Sequence, residues 1–282
     1  MNISKVLVPI CLLLLPFFTV QASETSEFKL PRIHVAPIKD TQGDRQYELY
    51  IKLPEEYAKS KDKTYPVIYF TDALWHIELL SASTEFLMEE AILVGISWQK
   101  NLDDERAHFS RFRDYTVKKS NNSERQAKYQ FGQAGNHLSF IRNDVIKHVE
   151  NNYRTNPDNR TYFGYSAGGL FGSYILMAQP DTFKNYILGS PAVNGDIALL
   201  SQVGAKAKLR GKGLNANVFI SYGALEKELS QHIKEFTNLL KARKDSSLFL
   251  HDVVVEGDHQ QAFPITGVRG VTWLSNLVSD KG

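Results

Sequence analysis

Three side chains, met in the order hydroxyl, carboxylate, imidazole, suggest covalent acyl chemistry: Ser166, Glu226 and His259. Ser166 lies in Gly164-Tyr165-Ser166-Ala167-Gly168, between the β-prone run Arg160-Thr161-Tyr162-Phe163 and the apolar, helix-length run Leu170 to Met177. A serine between two glycines at a strand-to-helix turn is the nucleophile-elbow pattern. Glycines without a Cβ let strand and helix approach closely while the serine takes a strained backbone conformation. Such a turn lifts the hydroxyl out of the sheet and aims the helix amino end, with its free N–H groups, at any oxyanion formed there. The plainer alternative is a glycine-rich turn with an incidental serine.

A serine hydroxyl is a weak nucleophile and needs a base, itself oriented by an acid. His259, in Gly257-Asp258-His259, follows the run Leu248 to Val255, so it stands just past a strand end. It is the expected base, taking the Ser166 proton and returning it to the leaving group. Of the other seven histidines, His251 falls within a strand, His148 and His232 sit on charged helices, and His34 is near the N-terminus; His76, His108 and His137 precede the serine. Glu226 follows the run Val218 to Tyr222 and is the favoured acid, with Glu228, Asp196 and Asp258 as alternatives. The backbone N–H of Ala167, next after the nucleophile, and that of Ala73, in Thr71-Asp72-Ala73-Leu74, are the expected oxyanion donors. Trp75 and Trp98, with Phe109, offer a flat wall for a ring-bearing substrate, or fill the core. Arg111 and Arg113 offer bidentate pairing to an anionic acyl group, or tie down their own loop beside Asp114.

Positioning these groups requires strands that end at one edge. Ile33–Ile38 and Arg45–Leu53 read as antiparallel edge strands joined by a turn at 40–44, the second alternating Tyr47, Leu49 and Ile51 with polar residues. Pro66–Phe70 and Ala91–Ile96 are apolar on both faces, as central strands of a parallel sheet are, with a helix over Leu74–Glu89 between them. Tyr186–Gly189, Val218–Tyr222 and Leu248–Val255 continue the sheet. Helices are expected over His137–Tyr153, after the elbow up to Gln179, over Glu228–Arg243 and over Val268–Val278. Residues 97–136 carry no clear period but many aromatics, and are expected to form a partly ordered, cap-like insertion. Strands alternating with helices predict an α/β protein: a doubly wound, mostly parallel sheet with antiparallel N-terminal strands, in one domain over 23–282.

The 282 residues are 43% hydrophobic with a formal charge of +2. Lys5, the apolar stretch Val6–Val20 and Val20-Gln21-Ala22 read as a secretory signal peptide over 1–22, which predicts export, to the periplasm or beyond, without membrane attachment after cleavage. Removing Lys5 takes +2 to 2 − 1 = +1, a balance that argues against a nucleic-acid partner. Cys11, the single cysteine, falls within that leader, so the mature chain has no disulfide, thiolate nucleophile or cysteine metal site. The histidines show no metal-ligand spacing, and no metal or cofactor is expected.

Leu53-Pro54-Glu55-Glu56-Tyr57, Tyr65 to Ala73, Arg111-Phe112-Arg113-Asp114-Tyr115-Thr116, Tyr153-Arg154-Thr155, the elbow, Ser190-Pro191, Gly223-Ala224-Leu225-Glu226 and His259 with Phe263-Pro264 run over nearly all the mature chain. Together they resemble the putative-esterase family of α/β-hydrolases, which includes esterase D-like enzymes and periplasmic esterases that linearise catecholate siderophore trilactones. The resemblance implies the α/β-hydrolase fold and a serine ester hydrolase working through an acyl-enzyme. It implies Ser166 as nucleophile, His259 as base, Glu226 as acid (some siderophore members use Ser and His alone), and Ala73 and Ala167 as oxyanion donors. The implied substrate is a small-molecule ester: a siderophore lactone or a small acyl or aryl ester. Alternatives are an acyltransferase, a carbohydrate acyl or feruloyl-type esterase, and a non-catalytic binding protein of the same fold. The family commonly has Gly where Ala73 stands and His where Tyr165 stands, and a tryptophan-rich segment where Ala192-Val193-Asn194-Gly195 follows Ser190-Pro191. These departures change the pocket wall.

Overall fold

Side chains that are apolar on both faces of a strand must be covered on both sides, and the central strands dictate the layers accordingly. The computed structural model describes residues 30–211 and 213–279, so the expected leader over 1–22 lies outside the described residues. Contacts divide the chain between Pro31 and Arg32, and the strands and helices named below all belong to the second unit. Its strands are β1 (Ile33–Asp40), β2 (Arg45–Lys52), β3 (Tyr65–Phe70), β4 (Ile92–Ile96), β5 (Thr155–Tyr165), β6 (Asn185–Gly189), β7 (Asn217–Gly223) and β8 (Phe249–Val255). They form one sheet in the order β1-β2-β4-β3-β5-β6-β7-β8. β1 pairs antiparallel with β2, and β2 antiparallel with β4, while every pairing from β4 through β3 to β8 is parallel.

Alternate residues of these strands feed two cores. Val67, Tyr69, Tyr162, Tyr186, Leu188, Val218 and Ile220 pack on one face, under α4 (Ala134–Phe140), α5 (Ile146–Asn152), α6 (Ala167–Ala178), α7 (Ile197–Leu209) and α8 (Lys227–Ala242). Ile68, Phe70, Phe163, Ile187 and Phe219 pack on the other, under α1 (Ala73–Leu87) and α9 (Ala262–Ser279). A π-helical turn, Ile141–Val145, joins α4 to α5 within the stretch expected to be one helix. Strand order reverses at β3: the chain passes from β3 to β4 on one side, then to β5 on the other. Connections leaving neighbouring strand ends in opposite directions open a crevice there, where such sheets place their ligands. Among the described residues, no helix is long and apolar enough to cross a membrane.

Two parts of the architecture depart from the sequence reading. The cap-like stretch 97–136 contains α2 (Asp104–Tyr115) and α3 (Ser123–Tyr129), and α4 begins within it at Ala134. Each of the first two has a side-chain N-cap: Asp103 accepts from the Arg106 N–H and Asn122 from the Arg125 N–H, both at 2.9 Å. No apolar period marks α2, because its buried residues are Ser110, Arg111, Arg113, Asp114 and Tyr115. Helix α7 is also additional; its buried face is Leu200, Gly204 and Ala207, largely small residues that let it lie close on α6.

Close approach is similarly enforced where α6 crosses the sheet. A Cβ at Gly172 would meet the Tyr162 ring and lie 2.5 Å from Leu188 Cδ2. Gly172→Ala is expected to destabilise the protein by about 1–3 kcal/mol, the usual cost of overpacking, which outweighs a helix-propensity gain of about 1 kcal/mol. A lowered urea midpoint with unchanged slope checks this; a raised midpoint would show that helix and strands can part freely.

Candidate active site

Ser166 follows the last residue of β5 and caps α6, with φ 56 and ψ −116, a left-handed backbone that a residue with a Cβ adopts only under constraint. The constraint is visible on both sides. Its N–H donates to the Gly189 carbonyl on β6 at 2.9 Å, and its carbonyl accepts from Leu170, closing the first turn of α6, and from Ala192. A side chain at Gly164 would run into the Gly168 carbonyl, so only glycine permits the reversal. No hydrogen bond joins the Ser166 hydroxyl to His259 among the described residues.

His259 arises from the end of β8, three strands away from β5, so its loop must fold back across the sheet edge. Gly257 makes that turn at φ 93. The loop crosses the end of β7, where a Cβ on Gly223 would strike the Gly257 carbonyl. Four side chains then close a ring. Glu226 Oε1 lies 2.5 Å from His259 Nδ1. Ser190 Oγ donates to Glu226 Oε2 at 2.7 Å, and the Gly223 N–H donates to the same oxygen at 2.5 Å. Tyr165 Oη lies 3.0 Å from Ser190 Oγ and donates to the His259 carbonyl at 2.5 Å. The Tyr165 and His259 rings also pack 5.2 Å apart.

Burial works to raise the Glu226 carboxyl, but hydrogen bonds from His259, Ser190 and the Gly223 N–H outweigh it and hold the group below its ordinary value. An ionised carboxylate only accepts, so the proton between the two sits on Nδ1 and leaves the Nε2 lone pair open. Of the other carboxylates considered from sequence, Glu228 is exposed on the first turn of α8. Asp258 accepts from the Gln260 and Gln261 N–H groups, and Asp196 lies 3.8 Å from Lys118. His76 packs against Phe163 and Phe263, and burial pushes its imidazole down to about 4.

Ala73 and Ala167 are the first residues of α1 and α6. Neither N–H has a carbonyl one turn behind it to bond. The two loops touch: Thr71 Oγ1 lies 3.3 Å from Tyr162 Oη, which donates to the Gly168 carbonyl at 2.8 Å.

Beside them stands the aromatic group. Trp75, 50% exposed, meets Trp98 edge-on at 4.8 Å between ring centroids, and His108 packs 5.2 Å from Trp75 and 4.9 Å from Trp98. Phe109 packs on His108, Phe112 and Tyr129 and makes no ring contact with either tryptophan among the described residues. Of the two roles open to the arginines, substrate pairing and anchoring within the fold, their contacts are of the second kind. Arg111 forks onto both oxygens of Asp72 at 2.9 Å. Arg113 is buried against Asp114, Gln99 and Tyr47. Both guanidinium groups are committed to carboxylates within the fold. Sequence reasoning missed two members of the site, Ser190 and the Tyr165 hydroxyl, because both act on partners far away in the chain. Among the described residues, no group of three or more His, Cys, Asp or Glu is placed to hold a metal ion.

Comparison with known proteins supplies the family. Over 186 residues the chain is 27% identical to the ferri-bacillibactin esterase BesA of Bacillus subtilis (strain 168), a match covering 60% of this chain and 62% of that protein. The match thus spans less than two thirds of the relative's length. The BES protein from Bacillus cereus superposes with a TM-score of 0.76 at 20% identity, over 90% of this chain and 98% of that one. The siderophore hydrolase EstB from Aspergillus nidulans does so with a TM-score of 0.74 at 18% identity, over 89% and 96%. At these identities the superpositions establish a shared fold. The model of the esterase family described as "Putative esterase" matches residues 41–263, which takes in the elbow, Glu226 and His259, and the chain belongs to that family.

Proposed function

We propose that the protein is a serine hydrolase of carboxylic esters acting through an acyl-enzyme. Ser166 attacks the carbonyl carbon, His259 Nε2 takes the hydroxyl proton, and Glu226 holds the imidazolium that results. The N–H groups of Ala73 and Ala167 receive the oxyanion. Collapse of the tetrahedral adduct expels the alcohol, which takes the proton from His259; water, deprotonated by the same imidazole, then releases the acid. The observation that carries this reading is the 2.5 Å contact of His259 Nδ1 with a Glu226 held by two further donors, on a loop that Tyr165, the neighbour of Ser166, ties down.

The substrate class we infer is a ring-bearing ester such as a siderophore lactone. Half-exposed Trp75 beside Trp98 presents a flat face next to the Ala73 donor, and the relatives described above are named as a ferri-bacillibactin esterase and a siderophore hydrolase. The apolar stretch Val6–Val20 between Lys5 and Ala22 supports export with cleavage of the leader, placing the enzyme in the periplasm or outside the cell.

Ser166→Ala is expected to lower kcat/KM for a p-nitrophenyl ester by at least about a thousandfold, as removal of a nucleophile does. Hydrolysis at the wild-type rate would overturn the assignment, and a panel of siderophores with and without iron, run beside that control, tests the substrate class. Tyr165→Phe keeps the ring packing but removes the tether on the His259 loop. A fall in kcat/KM of about 2- to 10-fold is expected, since such a bond is worth about 0.5–1.5 kcal/mol; no change would mean that β8 and α9 hold His259 unaided. Burial works to raise the Glu226 carboxyl, but the His259, Ser190 and Gly223 donors outweigh it, so the carboxylate is ionised throughout the neutral range in which the assays are run.

A further inference from the structure

The carboxylate that caps α1 faces away from α1. Asp72 occupies the N-cap position, where an aspartate ordinarily accepts from N–H groups of the first turn, yet its side chain makes no such bond. Oδ1 accepts instead from Arg111 Nε at 2.9 Å and Trp98 Nε1 at 2.7 Å, and Oδ2 from Arg111 Nη2 at 2.9 Å. The residue is fully buried and left-handed, with φ 55 and ψ 46, so the surroundings impose this arrangement. Two of the three restraining residues lie on α2, since the Asp72 N–H also faces Tyr115 Oη at 3.4 Å; the third, Trp98, precedes it.

We propose that Arg111 is a positioning residue for the oxyanion-binding loop, so that the inserted helix α2 sets how well the site stabilises a tetrahedral adduct. The inference rests on the esterase reading above. Its first strand is geometric. The Asp72 carbonyl accepts from Trp75 at 2.9 Å and His76 at 3.2 Å and so points into the helix. In a planar trans peptide the N–H opposes the C=O, so the Ala73 N–H is turned outward. Fixing Asp72 therefore fixes the direction of the donor. Its second strand is electrostatic. A carboxylate turned back to cap α1 would occupy the first-turn donors and repel a developing oxyanion; the Arg111 fork draws it away and neutralises it. The same loop also sits on the other donor's helix, because a Cβ at Gly168 would lie 2.5 Å from Thr71 Oγ1. A displaced Asp72 thus disturbs both halves of the oxyanion site.

The test uses the full chain and p-nitrophenyl acetate, with phenylboronic acid as a tetrahedral mimic bonded to Ser166. Arg111→Met alone strands a buried carboxylate at the expense of the fold, so the decisive variant is the double change Asp72→Asn with Arg111→Met, which removes both charges. In that variant, with wild-type near-ultraviolet dichroism, kcat should fall about 100-fold, the cost of a misplacement of roughly 1 Å, while KM stays within about threefold. Boronate affinity should weaken by the same factor as kcat/KM. A folded double variant with wild-type kcat and boronate affinity overturns the proposal and leaves the esterase reading standing. Wild-type protein that neither hydrolyses the ester nor binds the boronate overturns both.

Discussion

The site depends on a carboxylate that must be buried and ionised at once. Glu226 receives one bond from His259, one from Ser190 and one from the Gly223 backbone, and these donors offset the loss of water. A weaker set would leave the carboxyl protonated and the imidazole free to turn. With them, the tautomer of His259 is settled before any substrate arrives. The sheet exists, in this respect, to bring the ends of β6, β7 and β8 close enough for those bonds to form together.

Strand order explains how this is possible. β3, β5, β6, β7 and β8 lie side by side in chain order, so groups separated by nearly two hundred residues emerge along one edge. The reach from β8 back to β5 is the hard part. It requires glycine at Gly257 for the turn and at Gly223 for the crossing, and Tyr165 fastens the far end. Its phenol is long enough to reach the His259 carbonyl.

Much of this was legible in the linear chain because the governing signals are local. The elbow is five residues long, and the buried parallel strands are continuous apolar runs. Glu226 and His259 could be named because each follows such a run directly. The helices that escaped notice bury something other than large hydrocarbons: α2 turns Arg111, Arg113 and Asp114 inward, and α7 turns in Gly204 and Ala207. Pairing of Arg113 with its neighbour Asp114 could be read from the sequence, whereas the partner of Arg111, Asp72, lies 39 residues away and only the fold brings them together. Ser190 and Tyr165 were illegible as site members for a related reason, since their importance lies wholly in partners distant along the polymer.

The ionic underside of α2 has a consequence for how the molecule comes apart. The sheet and its flanking helices cohere through hydrocarbon, which proton concentration does not touch. The inserted helix adheres through Tyr115 in the hydrocarbon core and, in addition, through Asp72, Asp114 and their guanidinium partners. Burial works to raise the Asp72 carboxyl, but the Arg111 guanidinium outweighs it and holds it below its ordinary value, so that this ionic share yields only to acid. Acid and denaturant therefore attack different seams. Protonating Asp72 would release Arg111 and loosen the α2 side of the insertion, whereas urea at neutral pH acts on the hydrocarbon layers and the insertion together.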